Sequence, residues 1–392
     1  MNILAIESSA DDTGIAILEA KQNGSNIKFK ILANKIHTQI DIHTGYGGIF
    51  PVIAKREHGR NIIPTMISAL KEAKMFKVGK SLSEIKNKKI KKILEKENEL
   101  SKIFVAFINK IKKPDIDAIA VTVGPGLEPA LWVGISTARA LSLAWDIPII
   151  PVNHMEGHLL SPLVEKKKTF TYNKKTLSFP VLSLLISGGH TELVLMKTFG
   201  KYQVIGQTRD DADGEAFDKV ARMLGLPYPG GPEISRLAET KREEKNYINK
   251  VVLPRPMIYS KDFDFSFSGL KTAVLYYIRD NGPLNENMKA DIAKEFEDSV
   301  IEVLVTKTLK AMDKYKIKSL ILGGGVSGNT HLQRTLKNQK KNMNKDIAIH
   351  FPTKVLSTDN ALMIAIAGYF QYKNKKFVRG DKKLKAIGNL SL

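Results

Sequence analysis

The chain has 392 residues, and its 61 lysine and arginine residues against 40 aspartate and glutamate residues give a formal net charge of +21. This length accommodates two domains, since a domain commonly takes roughly 100–200 residues. No apolar run approaches the roughly 18 residues of a membrane crossing, and we find no secretory signal pattern, so we expect a cytoplasmic protein without a membrane segment. The sequence contains no cysteine, which excludes disulfides, thiolate metal sites and a cysteine nucleophile.

The first predicted elements form a β-hairpin, and the same arrangement occurs again in the second half of the chain. In each copy a short apolar strand is followed by a polar turn and a second strand. The first copy comprises residues 2–6, 7–12 and 13–18, and the second comprises residues 181–186, 187–190 and 191–196. The repeated order indicates an internal duplication.

The segment near residues 74–113 is predicted to be a lysine-rich insertion that forms amphipathic helices. It contains 13 lysines and 4 glutamates, and its apolar residues recur at helical spacing. This charge pattern is typical of a solvated helix face and also of a face that contacts a polyanion. Both interpretations stay open at this point.

Each half of the chain also has a strand that ends in a glycine-rich turn before a helix. These strands are residues 118–123 and 319–322, with turns at 124–126 and 323–325. Backbone N–H groups at such turns can bind phosphate. A twofold repeat at this long period predicts an α/β fold with two copies of one domain facing each other across a cleft. At the level of fold, the sequence resembles the actin-like ATPase (ASKHA) superfamily, with its two ribonuclease-H-like domains.

Two histidines at helical spacing are the sharpest local feature. His154 and His158 lie one turn apart if residues 154–158 are helical, so both imidazoles face the same way, as a two-histidine metal site requires. Glu156 then points away from both, whereas metallopeptidase helices place a glutamate beside one of the histidines. The alternative is a pair of ordinary histidines at the start of a helix.

Asp359 is the candidate for a third metal ligand. It lies two residues before the apolar helix predicted at residues 361–370, so it is either a ligand or a helix cap. Two imidazoles and one carboxylate suit Zn²⁺ or Fe²⁺ and leave coordination positions open for substrate.

Other acidic residues are candidates for chemistry. Asp11 lies in the first polar turn and is the best candidate for a catalytic carboxylate, although aspartate is also common in turns. Asp211, Asp213, Glu215 and Asp218 precede or begin a predicted helix, where acidic residues are favourable without any further role.

The predicted domains are residues 1–165, which carry the lysine-rich insertion, and residues 178–392, which carry an inserted helical segment near residues 207–300. The lysines at 166–168 and 174–175 interrupt the apolar pattern between the two domains. We therefore expect a surface loop there.

Ten stretches of the sequence resemble one family, the bacterial tRNA threonylcarbamoyladenosine transferases (TsaD), formerly labelled glycoproteases. They are residues 6–13, 46–58, 124–134, 154–158, 187–192, 214–219, 229–232, 265–271, 323–329 and 357–360. Because these stretches span nearly the whole chain, the sequence is identified as a member of this family. Two departures are Ala10, where many relatives have cysteine, and the segment 74–113, which is longer than usual.

The resemblance implies a reaction and a set of site residues. The threonylcarbamoyl group would pass from threonylcarbamoyl-AMP to N6 of the adenine just 3′ of the anticodon, in tRNAs that read codons beginning with A, with release of AMP. By the same resemblance, His154, His158 and Asp359 hold one divalent metal ion per subunit, with Fe²⁺ favoured and Zn²⁺ possible, and Asp11 is catalytic. The residues implied to bind the adenylate are Leu185, Ile186, Ser187, Gly188, Gly189, Asp218, Gly231 and Asn329.

The resemblance also implies partner proteins. These are an inactive paralogue (TsaB), a small P-loop ATPase (TsaE) and a separate enzyme that makes the adenylate. The residues alone leave three alternatives open: a sugar kinase or ATPase of the same fold, a metallopeptidase that uses the two histidines, and a binding module whose basic segment recruits RNA.

Overall fold

The computed structural model describes residues 1–79, 81–164, 168–172, 177–244, 248, 250–342, 347–379 and 384–392. The chain divides into two compact units. Unit 1 consists of Met1–Thr176 together with Thr358–Leu392, and unit 2 consists of Leu177–Ser357. Among the described residues, no helix combines the length and the apolar character needed to cross a membrane.

Unit 1 is built on a six-stranded sheet in the order β5-β4-β1-β2-β3-β6. In chain order its N-terminal part comprises β1 (Asn2–Glu7), β2 (Asp12–Asn23), β3 (Asn26–Thr38), α1 (Ile40–Thr44), α2 (Pro51–Glu72), α3 (Glu84–Ile93), α4 (Asn98–Ile108), β4 (Ala118–Gly124), α5 (Glu128–Trp145), β5 (Ile149–Asn153), α6 (His154–Leu160) and β6 (Thr169–Tyr172). β1 pairs parallel with β4 and antiparallel with β2, and β4 pairs parallel with β5. The sheet is therefore mixed, with the predicted hairpin at its centre.

Unit 2 repeats this plan. In chain order it comprises β7 (Val181–Ile186), β8 (Thr191–Thr198), β9 (Lys201–Gln207), α7 (Asp213–Met223), α8 (Gly230–Glu243), α9 (Ser268–Asn281), α10 (Glu286–Lys314), β10 (Ser319–Gly323), α11 (Thr330–Asn342), β11 (Ala348–His350) and α12 (Lys354–Ser357). Its sheet has the order β11-β10-β7-β8-β9, which matches β5-β4-β1-β2-β3 of unit 1 in both order and direction of pairing. The internal duplication predicted from the sequence is confirmed.

The last helix, α13 (Ala361–Lys373), belongs to unit 1, whereas the sequence pattern predicts a single second domain over residues 178–392. All residues of α13 from Ala361 to Phe370 are buried, so this helix needs apolar surroundings on every side. It packs on the sheet of unit 1, where the ring of Tyr369 lies 5.2 Å from that of Phe29 in an edge-to-face contact. The predicted domain boundary is wrong at this point because an apolar helix does not specify which sheet it covers.

The surface loop predicted near residues 165–178 lies partly outside the described residues, which omit 165–167 and 173–176. Within it, β6 pairs antiparallel with β3 and adds an edge strand to the sheet of unit 1. In unit 2, the helices α7–α10 lie between β9 and β10, where the sequence predicts an inserted helical segment.

Candidate functional site

The two histidines lie on the short helix α6, which begins directly after β5. The side chain of Asn153 caps this helix, since its Oδ1 accepts the N–H groups of Met155 (2.8 Å) and Glu156 (3.3 Å). The cap fixes His154 as the first helical residue, which places His154 and His158 on the same face, one turn apart.

Asp359 completes the group and does not cap the helix that follows it. The cap of α13 is Asn360, whose Oδ1 accepts the N–H of Met363 at 3.1 Å. The carboxylate of Asp359 instead faces the imidazoles, with its Oδ1 3.0 Å from His158 Nε2 and 3.4 Å from His154 Nε2. The interpretation of Asp359 as a helix cap is therefore wrong.

The three donor atoms fit a metal ion. His154 Nε2 and His158 Nε2 lie 3.1 Å apart, and one ligand atom from each of the three residues falls within 4.8 Å of the others. Metal–nitrogen bonds of about 2.0–2.1 Å separate neighbouring ligands by about 2.9–3.4 Å. The observed spacings of these nitrogen and oxygen atoms agree with that range, so the residues are suited to hold one divalent ion.

A second layer of polar side chains orients His154. Its Nδ1 lies 3.2 Å from Glu7 Oε2 and 3.2 Å from Ser9 Oγ, and Glu7 is fully buried at the end of β1. Metal-binding histidines usually use their second nitrogen in this way, which fixes the tautomer and the ring orientation. Glu7 is fixed in turn, since it also accepts the hydroxyl of Thr122 and the N–H of Ser9.

The carboxylates near the two histidines favour a positive charge at this cluster. Burial opposes the charged form of His154, but the carboxylates of Asp359 and Glu7 outweigh it and raise its pKa to about 10. Burial lowers the pKa of His158, which is fully enclosed. The Asp359 carboxylate thus lies at the two facing Nε2 atoms, and the Glu7 carboxylate lies at Nδ1 on the other side of the His154 ring, an environment that attracts a cation.

Glu156 lies away from the metal-ligand atoms, as predicted. It is buried and accepts a hydrogen bond from Gln371 of α13. The cluster thus has no glutamate from α6 that could act as the general base of a metallopeptidase.

Asp11 is half-buried in the turn that joins β1 to β2. Its backbone carbonyl accepts the N–H of Gln39 at 3.1 Å. The buried ring of His58 holds the same turn, with Nε2 2.9 Å from the Ala10 carbonyl and Nδ1 2.7 Å from Thr13 Oγ1. The catalytic role of Asp11 stays a prediction.

The predicted adenylate-binding residues all lie in unit 2. Leu185 and Ile186 are buried in β7, so their side chains serve the core. The next three residues, Ser187, Gly188 and Gly189, form the turn between β7 and β8, which is closed by the Ser187 N–H donating to the His190 carbonyl at 2.8 Å. A side chain at Gly188 or Gly189 would meet nothing within 4 Å, so a ligand can approach this backbone.

The remaining three residues fix the start of α8 and the turn before α11. Asp218 Oδ1 accepts the N–H of Gly230 at 2.7 Å, beside Gly231, where a side chain would again meet open space. Asn329 Nδ2 donates to Ser235 Oγ (3.1 Å) and to Glu297 Oε1 (2.7 Å). α7 contacts both α8 and the 3-10 turn Gly325–Gly328, so these residues belong to one region of unit 2.

Sequence reasoning gave no role to Glu7, Ser9 or Asp213. For Glu7 a signal existed, because a carboxylate directly after four fully buried apolar residues of a central strand is costly unless it has a specific partner. For Asp213 the sequence predicts only an acidic residue in an ordinary first helical turn. In the structure it is fully buried, and neither carboxylate oxygen has a hydrogen-bond partner among the described residues.

Asp213 is expected to make the stability of the protein depend on pH. Burial, and then repulsion by Glu297, raise the pKa of Asp213 to about 8. In the unfolded chain this carboxyl ionises near pH 4, so the folded state binds the extra proton between about pH 4 and 8, and the free energy of unfolding falls as pH rises through that window.

We expect Asp213→Asn to remove this contribution, which amounts to at most about 1.4 kcal/mol per pH unit. Urea unfolding at several pH values should show a flatter profile for the variant and a higher stability than wild type above pH 8. Parallel profiles for the two proteins would contradict the assignment of the buried proton to Asp213.

The two units have the same sheet order, which defines the fold class of this protein. Solved structures of low sequence identity have the same fold. HypF from T. kodakarensis superposes with a TM-score of 0.53 at 13% identity, covering 95% of this chain and 48% of that chain. A full-length HypF in the phosphate- and nucleotide-bound form gives 0.52 at 14% identity, covering 94% and 46%. The chain spans about half the length of these proteins. The predicted α/β fold class with two domains of one plan is confirmed.

Sequence comparison defines the family. The family model for tRNA N6-adenosine threonylcarbamoyltransferase (TsaD) matches residues 30–79 and 99–366. A protein of that name from Chromobacterium violaceum is 41% identical over 377 residues, which cover 95% of this chain and 94% of the relative. One from Paraburkholderia xenovorans is 42% identical over 370 residues, covering 94% and 91%. The chain belongs to the tRNA N6-adenosine threonylcarbamoyltransferase family, which confirms the resemblance found in the sequence motifs.

Proposed function

We propose that this chain transfers a threonylcarbamoyl group from threonylcarbamoyl-AMP to N6 of adenosine in tRNA, and that AMP is released. The observation that carries the proposal is the similarity to threonylcarbamoyltransferases over at least 94% of the chain. The target is the adenine on the 3′ side of the anticodon, in tRNAs that read codons beginning with A.

The reaction is an acyl transfer at the carbamoyl carbon. The N6 amine attacks this carbon, a C–N bond forms, and the C–O bond to the phosphate of AMP breaks. N6 loses one proton, for which we propose the carboxylate of Asp11 as acceptor, and AMP takes the electron pair of the broken bond. The placement of Asp11 in the first polar turn supports this role.

His154, His158 and Asp359 are the proposed ligands of one divalent ion, Fe²⁺ or Zn²⁺. When bound, the ion would supply a Lewis acid that orients and polarises the threonylcarbamoyl part of the donor. Glu7 and Ser9 hold the ring of His154 so that Nε2 faces the other two ligand atoms. The donor set and its spacing support this assignment.

The nucleotide end of the donor is proposed to bind in unit 2. The open backbone at Gly188, Gly189 and Gly231 allows close approach of a phosphate or ribose. Asp218 would act by fixing the start of α8, and Asn329 by linking its own turn to Ser235 of α8 and Glu297 of α10. Leu185 and Ile186 would contribute through the backbone at the end of β7.

We propose that the reaction takes place in the cytoplasm with helper proteins. These are the inactive paralogue TsaB, the P-loop ATPase TsaE and the upstream enzyme that forms the adenylate.

The function is tested by incubating the purified chain with tRNA, threonylcarbamoyl-AMP and the helper proteins, followed by nucleoside analysis. We expect threonylcarbamoyladenosine in the tRNA and an equal amount of AMP. Steady formation of ADP from ATP without the modified nucleoside would support a kinase or ATPase instead. Peptide hydrolysis that disappears in His154→Ala would support a metallopeptidase.

A further inference from the structure

One helix of unit 1 lies outside the match to the family model. The match to the family pattern stops at residue 79 and resumes at residue 99, so residues 80–98, which contain α3, have no counterpart in that pattern. This is the central part of the lysine-rich insertion predicted from the sequence. A role for α3 therefore does not follow from the match to the family model.

The inserted helix is an ordered part of unit 1. Val78 and Ile111 form a β-bridge at its base, and Ile90 is fully buried against the core of the unit. Asn109 links the two ends of the insertion, since its Oδ1 accepts the N–H of Leu82 at 2.8 Å and its Nδ2 donates to Asn87 Oδ1 at 3.1 Å. These contacts fix α3 beside α4.

The acidic and basic side chains of the insertion have different surroundings. Glu97 and Glu99 face α2, where they pair with Lys55 (3.0 Å) and Arg60 (3.1 Å) respectively. In the part of the chain that the structure describes, none of the lysines from 86 to 113 forms an ion pair. The docking of the helices thus uses acidic side chains. Lys86 donates its ammonium to the Ala144 carbonyl at 3.3 Å, whereas Lys91, Lys102 and Lys110 are exposed and available to an external anion.

Several of these lysines line a groove between α3 and α4. It has a volume of about 550 Å³, and its polar lining consists of Lys91, Lys102, Lys110, Ser81, Ser101 and Asn109. Val105 and Ala106 complete the lining, which contains no carboxylate and no aromatic ring. Ammonium and hydroxyl donors without an aromatic platform are suited to phosphate groups and unsuited to stacked bases.

We propose that this groove binds the phosphodiester backbone of tRNA through Lys91, Lys102 and Lys110. The inference rests on the proposed function, which makes tRNA the polyanion that this protein must hold. Long lysine side chains in this groove act as point charges, so the contact adds affinity without reading sequence. The insertion thereby extends the tRNA-binding surface of this chain beyond that of relatives that lack α3.

The test compares two triple variants of the full chain that lose the same charge. One is Lys91→Gln/Lys102→Gln/Lys110→Gln in the groove, and the matched control is Lys197→Gln/Lys201→Gln/Lys318→Gln at exposed positions of unit 2. The dissociation constant for an unmodified tRNA transcript is measured between about 50 and 200 mM salt. Thermal unfolding verifies that both variants are folded.

We expect the groove variant to bind tRNA more weakly and to lose about 0.7–0.9 log–log units of salt dependence per lysine, roughly two units in all. The control should keep the wild-type slope, and transfer at saturating tRNA should survive in both. Equal slopes for the groove variant and the control, or no binding of tRNA by the wild type, would overturn the inference. Failure of the proposed function gives a different result, namely no modified nucleoside with wild-type protein, whatever the slopes.

Discussion

Asp359→Ala is expected to abolish metal binding and threonylcarbamoyl transfer while the protein stays folded. Asp359 is the proposed oxygen ligand, and without it two buried imidazoles remain that attract a cation less strongly. The fold should survive because Asn360 caps α13 and the buried residues of that helix are unchanged. Metal content by mass spectrometry, transfer activity and thermal unfolding of the same preparation measure the three properties.

Glu7→Gln provides a graded comparison for this experiment. It keeps the size of the side chain but removes the charge that orients His154, and changes in the outer shell of a metal site usually cost about 10–100-fold in affinity or activity. We expect a partial loss for Glu7→Gln and a complete loss for Asp359→Ala and for His158→Ala. Full metal content in Asp359→Ala would show that this carboxylate is not a ligand.

The second large effect is expected for Arg242→Ala in unit 2. The guanidinium of Arg242 pairs with Glu297 at 2.6 Å and also with Asp298, and the Glu297 side chain is 1% exposed. Removing one partner of a buried ion pair leaves an uncompensated charge, which typically costs about 3–5 kcal/mol. We expect a loss of this size in the free energy of unfolding, measured by urea denaturation.

Arg236→Ala on the same helix is the matched control. Arg236 pairs with Glu233 at 3.0 Å, but its side chain is 61% exposed, and such surface pairs contribute about 1 kcal/mol or less. The two alanine variants should therefore differ clearly in denaturation midpoint. Similar stabilities would mean that solvent reaches Glu297 and that the pair is not a buried one.

The sequence was most informative where a pattern is local. His154 and His158 are spaced by one helical turn, so their common orientation follows from the helix period as soon as a cap such as Asn153 starts the helix. The duplication of the two sheets followed from the repeated hairpins and glycine turns in the same way. Local spacing and local order are properties that a sequence displays directly.

The structural features that the sequence does not predict depend on contacts between residues that are distant in sequence. α13 was assigned to the wrong unit because its apolar residues fit any buried surface, and only packing against Phe29 and its neighbours selects the sheet of unit 1. Glu7 received no role because its partner His154 lies 147 positions away. Asp213 resembles an ordinary helix start until its burial is known.

Because unit 1 is completed by residues that follow unit 2 in the sequence, the parts of the candidate metal site are synthesised at different times during translation. His158 precedes Asp359 by 201 positions, and the whole of unit 2 is encoded between them. A ribosome therefore exposes both imidazoles long before the carboxylate, and unit 2, as one continuous stretch, is complete first. Since domains fold as units during synthesis, loading of the ion would be a late event, and a prematurely terminated chain would carry the two histidines without their third ligand.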